Sequence, residues 1–269
     1  MRPSFFKYNM NSLLTVISSH VNLLLMELTD RQTRILKALI EEYMETAVPV
    51  GSGALERKYD LGVSPATVRN EMVRLTKNNF LKQPHTSAGR VPTKQAFRFY
   101  VDNLMEPKNL SVADEVATRE KIWDARFDFG KLLRQVTRVL AEKSKMLSVA
   151  ALDQGEVYYA GSSYLLDLPE FFDIDVTRTV LSLLDEDKSL LNLFSKGFGD
   201  DPVHFLFGDE LGFDYLEPCG MVFTHFKAGK NRSGAVGVIG PNRLDFSFTV
   251  PLVRHFGQLI EELGQESER

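Results

Sequence analysis

The stretch that most constrains the fold is residues 61–93, LGVSPATVRNEMVRLTKNNFLKQPHTSAGRVPT. The Ser64 hydroxyl can accept a hydrogen bond from a free first-turn amide, and Pro65 follows where no amide is needed, so a helix is predicted to start at Pro65. Along it Val68, Met72 and Leu75 fall at i, i+4 and i+7, one apolar stripe that packs inward. Ala66, Arg69, Asn70, Val73 and Lys77 are then left facing out. Small residues allow close approach, and arginine and asparagine carry planar donor sets that match guanine and adenine edges. Taken alone, this helix fits a major-groove reader and a solvated surface helix equally well.

Its surroundings favour the reader. Asn78-Asn79 read as a turn, Phe80-Leu81-Lys82-Gln83 as a short strand, and Arg90-Val91-Pro92 as a strand returning beside it. The polar tip between them offers hydroxyls, backbone amides and a flanking arginine, which suit a phosphate or a minor groove. Upstream, Thr29 or Asp30 can cap a helix running to about Thr46 with Ile35, Leu36, Leu39, Ile40 and Tyr43 on one side. Ser52 can cap a short second helix through Tyr59, and residues 94–105 read as a further helix. The order is that of a winged helix-turn-helix over residues 29–105. Its candidate DNA-contacting residues are Ser64, Ala66, Thr67, Arg69, Asn70, Arg74 and Lys77 on the helix, with His85, Thr86, Ser87 and Arg90 on the hairpin. His85 either contacts the DNA backbone or shapes the turn, and Arg98 is either a further contact or solvated.

Charge is divided in the same way. Residues 52–100 hold nine Lys/Arg against three Asp/Glu, a balance of +6 inside a chain of net charge −4, so the remainder carries −10. A basic segment in an otherwise acidic protein points to local phosphate binding. With 269 residues, 43% of them hydrophobic, the chain can bury two cores rather than one. Its one cysteine, Cys219, excludes an intramolecular disulfide and fits a reducing cytoplasm.

Residues 1–28 include an uncharged run, Tyr8 to Met26, that superficially resembles a signal peptide but lacks a small-residue cleavage site and is interrupted by Ser18, Ser19, His20 and Asn22. It reads as an extension upstream of a native start at Met26, or as an added amphipathic helix packed on the body. Beyond the first domain, Glu106-Pro107-Lys108-Asn109 marks a boundary, and residues 106–145 read as a helical linker rich in charge. From Met146 the period changes. Residues 147–152 and 157–160, joined by Asp153-Gln154-Gly155-Glu156, read as a hairpin. Further strands are expected at 203–207, 221–226 and 233–241, with helices at 176–185 and 249–263. Mixed strands and helices in this order predict an α+β domain over residues 146–269.

Catalytic chemistry finds no support. The histidines at 20, 85, 204, 225 and 255 lack metal-ligand spacing, and neither G-x-x-x-x-G-K-[ST] nor G-x-G-x-x-G occurs. No enzyme activity, metal or cofactor is expected.

Three nearly contiguous stretches, Pro49-Val50-Gly51-Ser52, VSPATVRNEM at 63–72 and QPHTSAGRVPT at 83–93, resemble the signature of HrcA, the heat-inducible transcription repressor of bacteria. LPEFFD at 168–173 and GVIGPNRLDF at 237–246 are similar to that family's second domain, which resembles a GAF-type sensor fold. The resemblance implies a cytoplasmic repressor that binds double-stranded DNA as a homodimer at an inverted-repeat CIRCE element upstream of chaperone genes, with GroE-type chaperonin keeping it folded. The alternative is a winged-helix repressor whose GAF-like domain senses a small ligand, in a pocket drawn from the strands around Tyr158, Tyr159 and Phe223. One departure stands out. The family's dimerising segment is inserted early in the second domain, yet here Val157-Tyr158-Tyr159-Ala160-Gly161 runs almost directly to Leu168-Pro169-Glu170-Phe171.

Overall fold

The computed structural model describes residues 28–197, 202–230 and 232–266, so the two readings of the N-terminal extension lie outside the described residues. The chain divides into two compact units, Met1–Leu104 and Met105–Arg269.

In the first unit, helix α1 spans Asp30–Thr46 and is closed at its start by a reciprocal capping box between Thr29 and Gln32. Helices α2 (Ser52–Lys58) and α3 (Pro65–Lys77) follow, then β1 (Leu81–Lys82), β2 (Val91–Pro92) and helix α4 (Lys94–Asn103). Ile35, Leu36, Leu39 and Ile40 of α1 are buried with Leu55, Val68, Met72, Leu75, Phe80 and Phe97, which accounts for the apolar stripes of the sequence. Lys58 bridges to Glu42 and Glu45 and ties α2 to α1. One cap differs from expectation: Gly51, not Ser52, holds the N-cap of α2 and makes no side-chain cap bond. The cause is the preceding residue, since Val50 exchanges both backbone hydrogen bonds with Arg90 and keeps the chain extended through Gly51.

The second unit is built on a five-stranded antiparallel sheet of order β4-β3-β7-β6-β5, from β3 (Leu147–Leu152), β4 (Val157–Ala160), β5 (His204–Phe207), β6 (Cys219–Ala228) and β7 (Arg232–Pro241). Both its faces are covered. On one, Leu147, Val149, Met221, Phe223 and Ile239 meet helices α7 (Ile174–Asp185) and α8 (Asp187–Phe194) and the two short 3-10 turns before them. On the other lie helices α6 (Phe129–Ser144) and α9 (Phe246–Glu266). Helix α9 approaches β6 closely because Gly257 faces Thr224 and Gly264 faces Ala228 and Phe129, where any side chain would collide. Burial of the sheet on both sides explains why β3 and β7 read as continuous apolar runs instead of alternating ones.

Two expectations need correction. Residues 106–145, expected as a helical linker, do form a helix pair, α5 (Val112–Trp123) and α6, but Leu132, Leu133, Val136 and Leu140 of α6 are fully buried and belong to the second unit's core. Helix α9 also begins three residues earlier than its apolar period suggested, with Asp245 accepting from the amides of Phe248 and Thr249. The hairpin of β3 and β4 forms with the expected bounds. Cys219 is a buried packing residue, its thiol pushed up to about 12 chiefly by loss of solvent.

The stretches 168–173 and 237–246 share a charged contact. Arg243 in the turn before α9 donates from Nε and a terminal nitrogen to both carboxylate oxygens of Glu170, and both side chains are almost buried. Removing one partner takes a bidentate counter-charge from the other in a nearly buried setting. Glu170→Ala is therefore expected to lower the unfolding free energy by about 3–5 kcal/mol in urea titration, and Arg243→Ala added to it to cost much less than on its own.

His255 on α9 provides a pH handle. Its Nε2 is buried with no hydrogen-bond partner among the described residues, and loss of solvent holds its pKa below the ordinary value. A base whose folded pKa is depressed contributes stability above its unfolded pKa and loses it as pH falls through the folded value. The thermal midpoint is expected to drop as the solution is acidified below the ordinary histidine range, and to drop less in His255→Gln.

Candidate nucleic-acid interface

Helix α3 starts as the sequence predicts. Ser64 is its N-cap, the Ser64 hydroxyl accepting from the Thr67 amide at 3.3 Å and sharing a 3.0 Å hydrogen bond with the Thr67 hydroxyl. Val68, Met72 and Leu75 are buried, while Ala66, Arg69, Asn70, Val73, Arg74 and Lys77 are exposed along the opposite side. The helix thus presents a basic, hydrogen-bonding face with small residues at its N-terminal end, as a groove-reading helix requires.

The hairpin has two paired residues per strand, Leu81 with Pro92 and Lys82 with Val91. It is braced from several sides. Val50 pairs with Arg90 beyond the ladder, and the Gly89 backbone passes so close to Pro49 and Val50 that any side chain there would overlap them. Gln83 donates to the carbonyls of Thr86 and Ala88 at 2.9 and 3.0 Å and props the tip, a role sequence reasoning missed. His85, Thr86 and Ser87 are exposed at the tip, with Ser87 and His85 3.3 Å apart. Arg90 is half-buried, and its Nε donates to the Thr76 hydroxyl at 3.1 Å, so it fastens hairpin to helix as well as bordering the tip.

One further residue escaped the sequence reading. Glu71 lies on α3 yet is buried, and its carboxylate accepts from Gln32 and Arg74 and is ion-paired with Arg31. Arg74, expected as a direct contact, is therefore also an ion-pair partner within its own helix. An acidic residue three positions before an arginine reads as an ordinary surface pair; only the arrival of α1 buries it.

Tyr158, Tyr159 and Phe223, expected to line a ligand pocket, do not converge on one point. Tyr158 and Tyr159 are neighbours on β4 and point to opposite faces, and Phe223 is fully buried against Phe194 and His204. A groove of about 260 Å³ lies where the β3–β4 turn and the start of β7 meet the start of α6, lined by Phe129, Gly130, Asp153, Glu156, Arg232 and Ser233 among others. No helix among the described residues is long and apolar enough to cross a membrane.

Residues 66–250 match the family model described as HrcA protein C terminal domain. Among curated proteins, the "Heat-inducible transcription repressor HrcA" of Carboxydothermus hydrogenoformans is 28% identical over 335 positions, covering 87% of this chain and 97% of that protein. The protein of the same name from Pelotomaculum thermopropionicum is 25% identical over 348 positions, covering 91% of this chain and all of its own length. A crystal structure described only as a hypothetical protein shares the fold, with a TM-score of 0.75 and 18% identity over 90% of this chain and 100% of that one. The class is that of transcription repressors of the heat-shock response. Within it, the chain belongs to the HrcA family, whose model matches well over half its length. It is a shortened relative. Since 87% of 269 residues is about 234, about 100 positions of the first alignment are filled only in the Carboxydothermus protein.

Ser64→Ala removes the cap of α3 and is expected to cost about 0.5–2 kcal/mol of stability by thermal unfolding, with Ser64→Asp recovering most of it because a carboxylate accepts the same amide.

Proposed function

We propose that this chain is a sequence-specific DNA-binding repressor of chaperone genes, acting in the cytoplasm as a homodimer on an inverted-repeat CIRCE-type operator. Its first unit serves as a winged helix-turn-helix and its second as a GAF-like regulatory domain. The observation that carries this reading is the exposed face of α3, with Arg69, Asn70, Arg74 and Lys77 on one side of a capped helix and the braced hairpin beside it. Helix α3 enters the major groove, where Arg69 and Asn70 reach base edges and Ala66 permits the approach. Ser64, Thr67, Arg74 and Lys77, with His85, Thr86, Ser87 and Arg90 of the hairpin, meet sugar and phosphate. No step calls for a cofactor.

Family resemblance supplies the regulatory half of the proposal. A GroE-type chaperonin keeps the repressor folded; heat diverts chaperonin to unfolded clients, active repressor falls and transcription rises. Purified protein that bound its operator undiminished through heating and cooling without chaperonin would contradict this half alone. Ligand sensing by the second unit is the less favoured reading, because the aromatic residues expected to line its pocket do not converge: Tyr158 faces away from Tyr159, and Phe223 is fully buried.

The test of the DNA reading is a titration of the protein against a CIRCE-type repeat and a scrambled duplex at two salt concentrations. Preference for the repeat by about three or more powers of ten is the expected result. Arg69→Ala is expected to reduce that preference by about 1–3 kcal/mol if it binds a guanine edge, and an equal loss on both duplexes would make Arg69 a phosphate contact instead.

A further inference from the structure

The buried carboxylate of Glu71 is an unusual element of a surface-facing helix. Its side chain is only 5% exposed, yet it serves two guanidinium groups whose own side chains are 48% and 64% exposed, Arg31 and Arg74. Arg31 Nε lies 3.4 Å from Glu71 Oε1 and an Arg74 terminal nitrogen 3.2 Å from the same oxygen. Gln32 fixes the other side, donating to Glu71 Oε2 at 3.1 Å while its own carbonyl oxygen accepts from the Thr29 amide at the cap of α1. One carboxylate therefore joins the start of α1 to the middle of α3 and gathers two arginines from different helices at a single point.

The arithmetic of charge leaves that point positive. One carboxylate neutralises one guanidinium, so the cluster keeps a net charge of +1, and each arginine retains N–H donors beyond those used on Glu71. Arg74 adjoins Val73 on the exposed side of α3, so the cluster flanks the face that carries Arg69 and Asn70. When a helix lies in the major groove, a sugar-phosphate strand runs along its flank. Fixing two forks on a buried anchor removes most of the side-chain entropy that a phosphate contact by a free arginine would cost.

We propose that Arg31 and Arg74, held together by Glu71, form a clamp for one backbone phosphate of the operator, with Arg31 a DNA contact on a helix otherwise devoted to the core and Glu71 its positioning residue. The inference rests on the DNA-binding reading above. It assigns α1 a part in docking the helix against the duplex and makes the angle between α1 and α3 a determinant of register.

The test uses the full chain on the CIRCE-type repeat and the scrambled duplex across a salt series, comparing wild type, Arg31→Ala and Glu71→Gln. Arg31→Ala is expected to weaken both complexes by the same factor, about tenfold, and to make the slope of log K against log salt shallower by about 0.9, one phosphate's worth. Glu71→Gln keeps an acceptor for Gln32 but releases the charge that holds the arginines. It is expected to narrow the ratio between repeat and scrambled binding while leaving the salt slope no shallower. If Arg31→Ala lowers the thermal midpoint but leaves both affinities and the slope unchanged, Arg31 only neutralises Glu71 and the clamp is overturned. If wild type shows no salt-sensitive binding to either duplex, the DNA reading itself fails, and the two failures are told apart by the wild-type titration.

Discussion

A ladder of two residues in each strand is too short to hold itself in water, so the hairpin after α3 depends on the backbone exchange between Val50 and Arg90. That exchange recruits the segment between α1 and α2 as a third edge. It also sets the position of Gly89, whose lack of a side chain lets the two backbones touch. From the same point, Arg90 reaches Thr76 on α3, and Thr93 accepts from the Ala96 amide to start α4 while donating to the Asn79 carbonyl. Helix, hairpin and following helix are thereby set relative to one another by a few polar contacts laid over an apolar core. In the proposed function this geometry decides whether groove-facing and backbone-facing residues meet a duplex at once, which is a matter of rigidity more than of contact number.

The second unit solves a different problem. Its sheet is buried on both sides, with Phe223 packed against Phe194 and His204 on one face and α9 brought close by glycines on the other. The nearly buried pair of Glu170 and Arg243 locks the turn before α9 to the turns that precede α7. Such a pair adds little net stability over an apolar substitute, but it penalises any register in which either charge is left alone. That penalty explains why two stretches far apart in sequence carry matching charged residues inside apolar surroundings.

In both units the elements whose signals are local were legible. Ser64-Pro65 fixes the start of α3 by its own chemistry, the stripe of Val68, Met72 and Leu75 fixes its buried side, and Asp153–Glu156 places the turn between β3 and β4. Legibility failed where burial depends on a distant partner. Leu132, Leu133, Val136 and Leu140 make a helical stripe inside a charged stretch, but nothing local says that the stripe meets the sheet, so a core helix read as a linker. The pocket residues failed for a related reason: adjacent tyrosines on a strand must point apart, and aromatic content alone does not choose a face. Glu71 was opaque because its spacing to Arg74 is that of an exposed ion pair, and its burial comes from Gln32 and Arg31 arriving from α1.

The division of charge bears on how such a head would find and keep its site. Residues 52–100 carry +6 and the rest of the chain −10, so a polyanion is attracted by the head and repelled elsewhere. Screening at physiological salt confines this attraction to within about 8 Å, roughly the reach of a side chain in or near contact. Long-range pull is therefore modest, and a protein of net negative charge gains little from indiscriminate binding to phosphate. In the proposed function, what would hold it is a small set of contacts at fixed spacing, some to base edges and some to backbone. A fixed set of that kind is what a braced hairpin, a capped helix and two arginines on one buried carboxylate can supply, and it is what loosening any one of those supports would remove first.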